Sequence, residues 1–567
     1  MSLFGQLRRP AGATGRSGDD GPADAPAEGS SPRGVVAAWG ATVLACLLVL
    51  FALVAPNQLG NLTPGAFVRI PVEGLVGLAV LLVLPSRWRR ASAVVIGGLL
   101  GLLTLLKIID MGFFAAFDRP FDLLSDWSFT GPAIDLLTGS AGRVGAVAAV
   151  IGVVAFAVAV VVFTALAVLR LSRIAVRHRT ATTRTLAALS VIWIAAAVLG
   201  IQVAPGQPFA SGSAAAYAFD DVRQVRAEVE NQRAFARDVA ADPFRGTPGE
   251  DLLAALRGKN VILAFVESYG RVAIQDSEIA PQVDAVLDAG TEQLRAAGFA
   301  ARSAFLTSPT FGDGSWLAHA TLQSGVSVDS QRRYNELFAT DRMTLSSAFK
   351  SAGWRAVGDV PSNTQDWPEG KFYDFDRIYD ARNVGYQGPN FSYATMPDQF
   401  TMAAFQRAEL ATPGHAPVMA EIDLVSSHWP WAPLPQLVDW DAIGNGSVFD
   451  GQPAAGKAPG EVWPDPAKVR AAYGESIQYS LNTLISYVRN YGDDDLVLVF
   501  LGDHQPNSAV TGDQAGRDVP VTIVAKDPVV LDRVAGWDWQ DGLRPGPAAP
   551  VWAMSAFRDR FLATFSH

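Results

Sequence analysis

The stretch Leu496-Val-Leu-Val-Phe-Leu-Gly-Asp-His-Gln-Pro506 sets an acid and an imidazole, Asp503 and His504, directly behind six apolar residues. The run 496–501 lies between the acidic turn at 492–495 and Gly502. Its length and unbroken apolar character predict a strand buried on both faces, the kind found inside an α/β sheet. At the carboxyl end of a parallel strand, side chains point into the crevice where such sheets hold ligands. Asp503 and His504 are badly placed there for packing and well placed to hold a metal.

Residues 251–271, DLLAALRGKNVILAFVESYGR, repeat the arrangement: a short helix closed by Gly258, an apolar strand over 261–266, then Glu267. Two distant strands thus each deliver an acid at the carboxyl end. Alone, Glu267 reads equally well as a helix cap; with Asp503 and His504 matching it, a shared site is favoured. A third stretch, TSPTFGDGSWLAHATLQSG at 307–325, places Ser315 after Gly312 and Gly314 and ahead of a helix. Such a turn suits an anion, because the glycines allow tight bending and the helix offers free N–H groups. Ser315 is either a simple N-cap or a hydroxyl beside that anion, where a base or metal would activate it. A fourth, APVMAEIDLVSSHWPWAPLP at 416–435, leads from an apolar segment to His428 among Trp429 and Trp431. Of six histidines, His567 ends the chain, His178 falls on the cytoplasmic side, His415 sits in a Pro/Gly loop and His319 lies in a helix. His428 and His504 remain as candidates, with packing against the tryptophans the less favoured reading of His428.

The chain has 567 residues, a formal net charge of -10 and 49% hydrophobic residues, too apolar for one soluble protein of this size. Residues 1–33 have no apolar period and read as a disordered cytoplasmic tail. Five segments, 35–55, 67–86, 91–110, 144–169 and 185–204, are long enough to cross a hydrocarbon core of about 30 Å. In the second, Arg69 and Glu73 at i,i+4 spacing predict an interfacial ion pair. Arginines cluster in the tail, at 87–90 and at 170–184, which places those stretches in the cytoplasm. An odd number of spans then puts everything after 205 outside it. The one cysteine, Cys46, lies in the first span, so the exported part has no disulfides and relies on its own core. Between bundle and domain, 206–259 reads as an amphipathic helical connector, with apolar Val222, Val225, Val229, Ala236 and Val239 on one face. Residues 260–567 form the exported α/β domain, with a central, mostly parallel sheet.

Glu267 after a first strand, Gly-Asp-Gly-Ser at 312–315, Ser-His at 427–428 and Gly-Asp-His at 502–504 together resemble the alkaline phosphatase and sulfatase superfamily. With the preceding spans, the chain is similar to its membrane-anchored branch of lipoteichoic acid synthases and phosphoethanolamine transferases. The resemblance implies a sulfatase-like fold in which Glu267, Ser315, Asp503 and His504 bind one divalent metal. It further implies that Ser315 is the nucleophile and that His428 contacts substrate, with Trp316, Trp367 and Trp429 beside it. Two carboxylates, an alkoxide and an imidazole suit manganese or zinc, with magnesium possible. The implied reaction moves a substituted phosphate from a membrane phospholipid, through phospho-Ser315, to an envelope glycan or lipid hydroxyl. No Walker or Rossmann glycine pattern occurs in the exported domain, and nothing in the sequence points to nucleic acid.

Two departures narrow this. Ser315 is followed by WLAH, without the Pro and Arg of C/S-x-P-x-R, which disfavours formylglycine sulfatase chemistry. Phosphoglycerol transferases of the branch hold glycerol phosphate with Trp-x-Arg, whereas here Trp367 is followed by Pro368 and Glu369. Arg302, Arg332 and Arg333 are the candidates to replace that Arg. Two rivals stay open: a phosphodiesterase or sulfatase-type hydrolase with water as acceptor, and a non-catalytic envelope structural or sensor protein.

Overall fold

A computed structural model describes residues 32–117, 119–123, 126–204, 207–512 and 515–566. The expected tail lies outside these except for its last two residues, which open helix α1 (Pro32–Val54). Helices α3 (Ser86–Phe117), α4 (Thr130–Arg177, broken at Gly142) and α5 (Arg179–Val198) complete a set of four described helices long and apolar enough to cross a membrane. The span expected at 67–86 is different. Only α2 (Val72–Val83) forms there, 12 residues long, or about 18 Å against a core of about 30 Å. Pro71 caps its start, and Pro85 follows its end. The predicted Arg69–Glu73 pair does not form, because Arg69 donates instead to the Val54 and Ala66 carbonyls at 2.7 and 2.9 Å. Glu73 accepts from the Ala215 N–H at 2.7 Å. Short as it is, α2 still carries the chain from the Glu73 end of the bundle to the end where Arg87, Arg89 and Arg90 begin α3.

The helix α6 (Ser213–Ala240) leaves that Glu73 end. Its start packs on Leu53, Val54 and Leu100 through Ala214. It is tied there by Asp110, which accepts from the Tyr217 hydroxyl at 2.7 Å, Asn57 Nδ2 at 2.8 Å and the Phe121 N–H at 2.9 Å. Its far end packs on the C-terminal domain through Phe235 and Val239. Ala236, expected on the apolar face, is exposed; the side chains of Val222, Val225 and Val229 lie outside the described residues.

The C-terminal domain is built on a nine-stranded mixed sheet. In chain order its strands are β1 (Asn260–Val266), β2 (Ala300–Thr307), β3 (Arg355–Val360), β4 (Arg377–Asp380), β5 (Val418–Leu424), β6 (Leu496–Gly502), β7 (Asp518–Ala525), β8 (Gln540–Asp541) and β9 (Val551–Ala553). The spatial order is β8-β2-β7-β6-β1-β5-β3-β4, with β9 beside β2. From β6 to β4 all neighbours are parallel, and β7 runs against both of its neighbours. All seven residues of β1 and of β6 are buried, as their apolar runs require. One face, carrying Ile262, Ala264, Leu498 and Phe500, packs on α7 (Ala280–Ala296) and on a 26-residue helix, Pro466–Tyr491. The other, carrying Leu263, Phe265, Val497 and Val499, packs on α8 (Ser315–Ser324) and the C-terminal helix. The helix expected before β1 is instead a 3-10 turn at Ala254–Leu256.

The register Leu501↔Phe265 and Gly502↔Val266 brings the ends of β6 and β1 side by side. Gly502 permits this, because a Cβ there would run into the Tyr269 backbone carbonyl. Gly502→Ala is therefore expected to destabilise the protein by about 1–3 kcal/mol and to lower its metal affinity by displacing Asp503. Gly516→Ala, where a Cβ meets nothing within 4 Å, leaves both unchanged. Thermal melts with and without added metal check this.

Candidate active site

Two strand ends and one helix start converge. Glu267 follows β1, Asp503 and His504 follow β6, and Ser315 is the first residue of α8. The cap residue before it is Gly314, at φ 88°, a left-handed conformation that glycine adopts without strain. Ser315 is thus the first helical residue and not the cap. Gly312 ties the turn to the other loop by donating its N–H to the Gln505 carbonyl at 3.0 Å.

The Ser315 hydroxyl donates to Glu267 Oε2 at 2.9 Å and lies 3.3 Å from His504 Nε2. That nitrogen stands 3.4 Å from Glu267 Oε1 and 3.7 Å from Asp503 Oδ2. His504 Nδ1 faces the Gln505 carbonyl at 2.8 Å, which assigns the proton to Nδ1 and leaves the Nε2 lone pair facing the carboxylates. Asp503 Oδ1 accepts from the backbone N–H groups of His504 and Ser268 at 2.7 and 2.8 Å. Its Oδ2 is buried with no hydrogen-bond partner. Inward-facing lone pairs, an orphaned carboxylate oxygen and a second carboxylate fit a divalent cation: Glu267, Ser315, Asp503 and His504 would hold it.

The same cleft, a cavity of about 360 Å³, is also lined by Trp316, Trp367, Tyr393 and His428. His428 Nδ1 sits 2.6 Å from the Trp429 carbonyl, and Tyr393 stacks on its ring at 3.6 Å. Its Nε2 is thereby left to accept or give a proton. Trp429 does not line the cavity; it is 45% exposed and stacks behind His428. The three arginines considered as substitutes are committed elsewhere: Arg302 pairs with Asp541, Arg332 with Glu336 at 2.8 Å and Arg333 with Asp329 at 3.0 Å. Glu369 lies outside this cleft, on a separate cavity.

Three residues not expected from the sequence also face the cleft: His319, one turn along α8, and Glu421 and Asp423 on β5. They form a second group whose potential ligand atoms lie within 4.8 Å of one another. The signal was present as two acids spaced i,i+2 in an otherwise apolar strand, which puts both on one face.

Burial governs the electrostatics. It works to raise the Glu267 carboxyl, but the charges of His504 and His428, with the hydrogen bond from the Ser268 hydroxyl, outweigh it and hold it below the usual range. Asp503 is pushed up to about 6, by burial and then by Glu267. Burial also pushes Glu421 and Asp359 up to about 7 and Asp398 to about 6. These four carboxyls ionise near pH 4 in the unfolded chain, so between about pH 4 and 7 the native state binds more protons and stability falls as pH rises. His319, pushed down to about 4 by burial, acts in the opposite sense but is one group against four. Chelator-treated protein is expected to melt at a higher temperature at pH 5 than at pH 7.5, with added manganese or zinc raising the value more at pH 7.5. A melting temperature that climbs from pH 5 to 7.5 in the metal-free protein would contradict this.

No family model and no curated protein matches the sequence. Solved structures similar to the chain include the lipoteichoic acid synthase LtaP from Listeria monocytogenes, at 15% identity and a TM-score of 0.36 over 57% of this chain and 74% of that one. The C-terminal periplasmic domain of EptC from Escherichia coli, in a complex with zinc, is 12% identical at a TM-score of 0.37 over 54% and 82%. The phosphoglycerol transferase GacH from Streptococcus pyogenes, in complex with sn-glycerol-1-phosphate, is 13% identical at a TM-score of 0.32 over 59% and 90%.

Proposed function

We propose that this chain is a membrane-embedded phosphotransferase that moves a substituted phosphate from a phospholipid to an envelope glycan or lipid hydroxyl. The observation that carries the reading is the Ser315 hydroxyl, set at a helix start within hydrogen-bonding distance of Glu267 and 3.3 Å from His504. Residues 1–33 would lie in the cytoplasm and the domain from about 260 outside it. The arginines at 87–90 and 170–184 support that orientation, and α2 carries the chain between the two ends of the bundle. Residues 206–259 would link the two parts.

A bound manganese, zinc or magnesium ion would lower the pKa of the Ser315 hydroxyl and draw charge from the phosphoryl oxygens. Ser315 Oγ attacks the lipid phosphorus and passes its proton to the Glu267 carboxylate, which already accepts its hydrogen bond. The bond from phosphorus to the diacylglycerol oxygen breaks as His428, entering the step as the imidazolium, gives that oxygen the proton on Nε2 and becomes the neutral ring. His428 then takes the proton of the acceptor hydroxyl, whose oxygen attacks the phospho-serine, and Ser315 leaves with its proton restored. The free N–H groups of α8 face the anionic phosphate. Trp316 and Trp367 flank the headgroup; Trp429, outside the cavity, contributes through His428. A larger cavity, about 1040 Å³, runs from Gly314 and Trp316 to Asn61, Met111 and Phe114 of the membrane helices and their loops, which suits a donor drawn from the bilayer.

Incubation with total phospholipid followed by mass spectrometry of the Ser315 peptide should reveal an adduct whose mass names the headgroup. Ser315→Ala should lose the adduct and reduce transfer by roughly 10³-fold or more. Full turnover in Ser315→Ala would sink the covalent step. Labelled headgroup appearing free in solution, with none on glycan or lipid, would identify the hydrolase instead.

A further inference from the structure

Six carboxylates line the 360 Å³ cleft, Glu267, Asp313, Asp366, Glu421, Asp423 and Asp503, and among the described residues no Lys or Arg does. Asp313 accepts from the Gly314 N–H at 2.6 Å and Asp366 is paired with Arg382 at 2.8 Å, while Glu267 and Asp503 are the acids of the proposed ion site beside Ser315. Glu421 and Asp423 are left facing the space where a phosphodiester must come. The imidazole that faces them both is that of His319. Its Nδ1 lies 3.5 Å from Asp423 Oδ1 and 3.8 Å from Glu421 Oε1, too far for hydrogen bonds. His319 is only 9% exposed, and both its Nε2 and Asp423 Oδ1 lack any hydrogen-bond partner.

These separations repeat those of the first site, where His504 Nε2 stands 3.4 and 3.7 Å from its two carboxylates. Atoms about 2.0–2.1 Å from a tetrahedral zinc are about 3.4 Å apart, so both groups are open to nearly the right width for an ion and too wide for one another. The second group is also held in place. Phe265 stacks on the His319 ring at 3.9 Å, and Gln323 donates to the other Glu421 oxygen while accepting from the Ser346 N–H at 3.0 Å.

We propose that His319, Glu421 and Asp423 form a second divalent-cation site in the cleft of Ser315. One imidazole nitrogen and two carboxylate oxygens suit zinc or manganese. His319 follows Ser315 by four residues, one turn along the same face of α8, so the nucleophile and the second site are carried by one helix. A second cation held there would draw further charge from the phosphoryl oxygens and would offset the two carboxylates that otherwise repel the substrate.

The test is calorimetric titration of the chelator-treated full-length protein in detergent with zinc chloride at pH 7.5. The wild type is expected to take up two equivalents, and His319→Gln, Asp423→Asn and Asp503→Asn one each. Saturation of the wild type at one equivalent, a result that depends on no variant folding, overturns the proposal, as does uptake of two by Asp423→Asn and His319→Gln. One equivalent together with a Ser315 adduct removes the second site and leaves the transfer reading intact. Two equivalents with no adduct supports the site and removes the transfer.

Discussion

One carboxylate oxygen holds the site together. Asp503 Oδ1 accepts both the His504 N–H, in its own loop, and the Ser268 N–H, one residue past Glu267. Two strands 235 residues apart in sequence are thereby joined at their carboxyl ends, beyond the last rung of the parallel ladder Gly502↔Val266. Charge-assisted bonds of this kind are about twice as strong as neutral ones. With Oδ1 committed, Oδ2 is fixed in direction, and Glu267 Oε1, held by the Ser268 hydroxyl at 2.8 Å, is fixed beside it. The Ser427 hydroxyl extends the lock to the third strand by donating to the Glu267 carbonyl at 2.6 Å, so the loop bearing His428 is seated by the same two residues.

That arrangement is costly without a cation. Acids taken out of water next to one another lose hydration that neither restores, and the raised Asp503 and Glu421 carboxyls express it. The core on both faces of the sheet holds the strand ends in place against this penalty. A site assembled under such tension favours whatever neutralises it, and in this way a rigid α/β scaffold would convert packing into affinity for a cation.

Much of this was legible in the sequence. The runs of β1 and β6 are apolar on both faces and end at glycine or acid, so the sheet and the positions of Glu267, Asp503 and His504 followed from pattern alone. The glycines before Ser315 marked a turn into a helix but left the serine as readily a cap, and the resemblance singled out its hydroxyl. The membrane bundle was less legible. Hydropathy reads 67–86 as continuous, yet the proline at 71 sets the start of α2 and Arg69 is drawn to the end of α1. Trp429 was placed by adjacency to His428, which does not fix the direction of a side chain. His319 was set aside as a helical residue, although a histidine four beyond Ser315 shares its face. Its partners on β5, Glu421 and Asp423, lie 102 and 104 residues further along the chain, and no local pattern brings them together.

The central claim is that Glu267, Ser315, Asp503 and His504 surround one ion. Diffraction data from metal-soaked crystals at the absorption edge of zinc or manganese test it most directly. The account predicts an anomalous peak about 2.0–2.3 Å from Glu267, Asp503 and His504 Nε2, within reach of Ser315 Oγ. Density at that edge only on the surface, with these four side chains bonded to one another and to water, would contradict it.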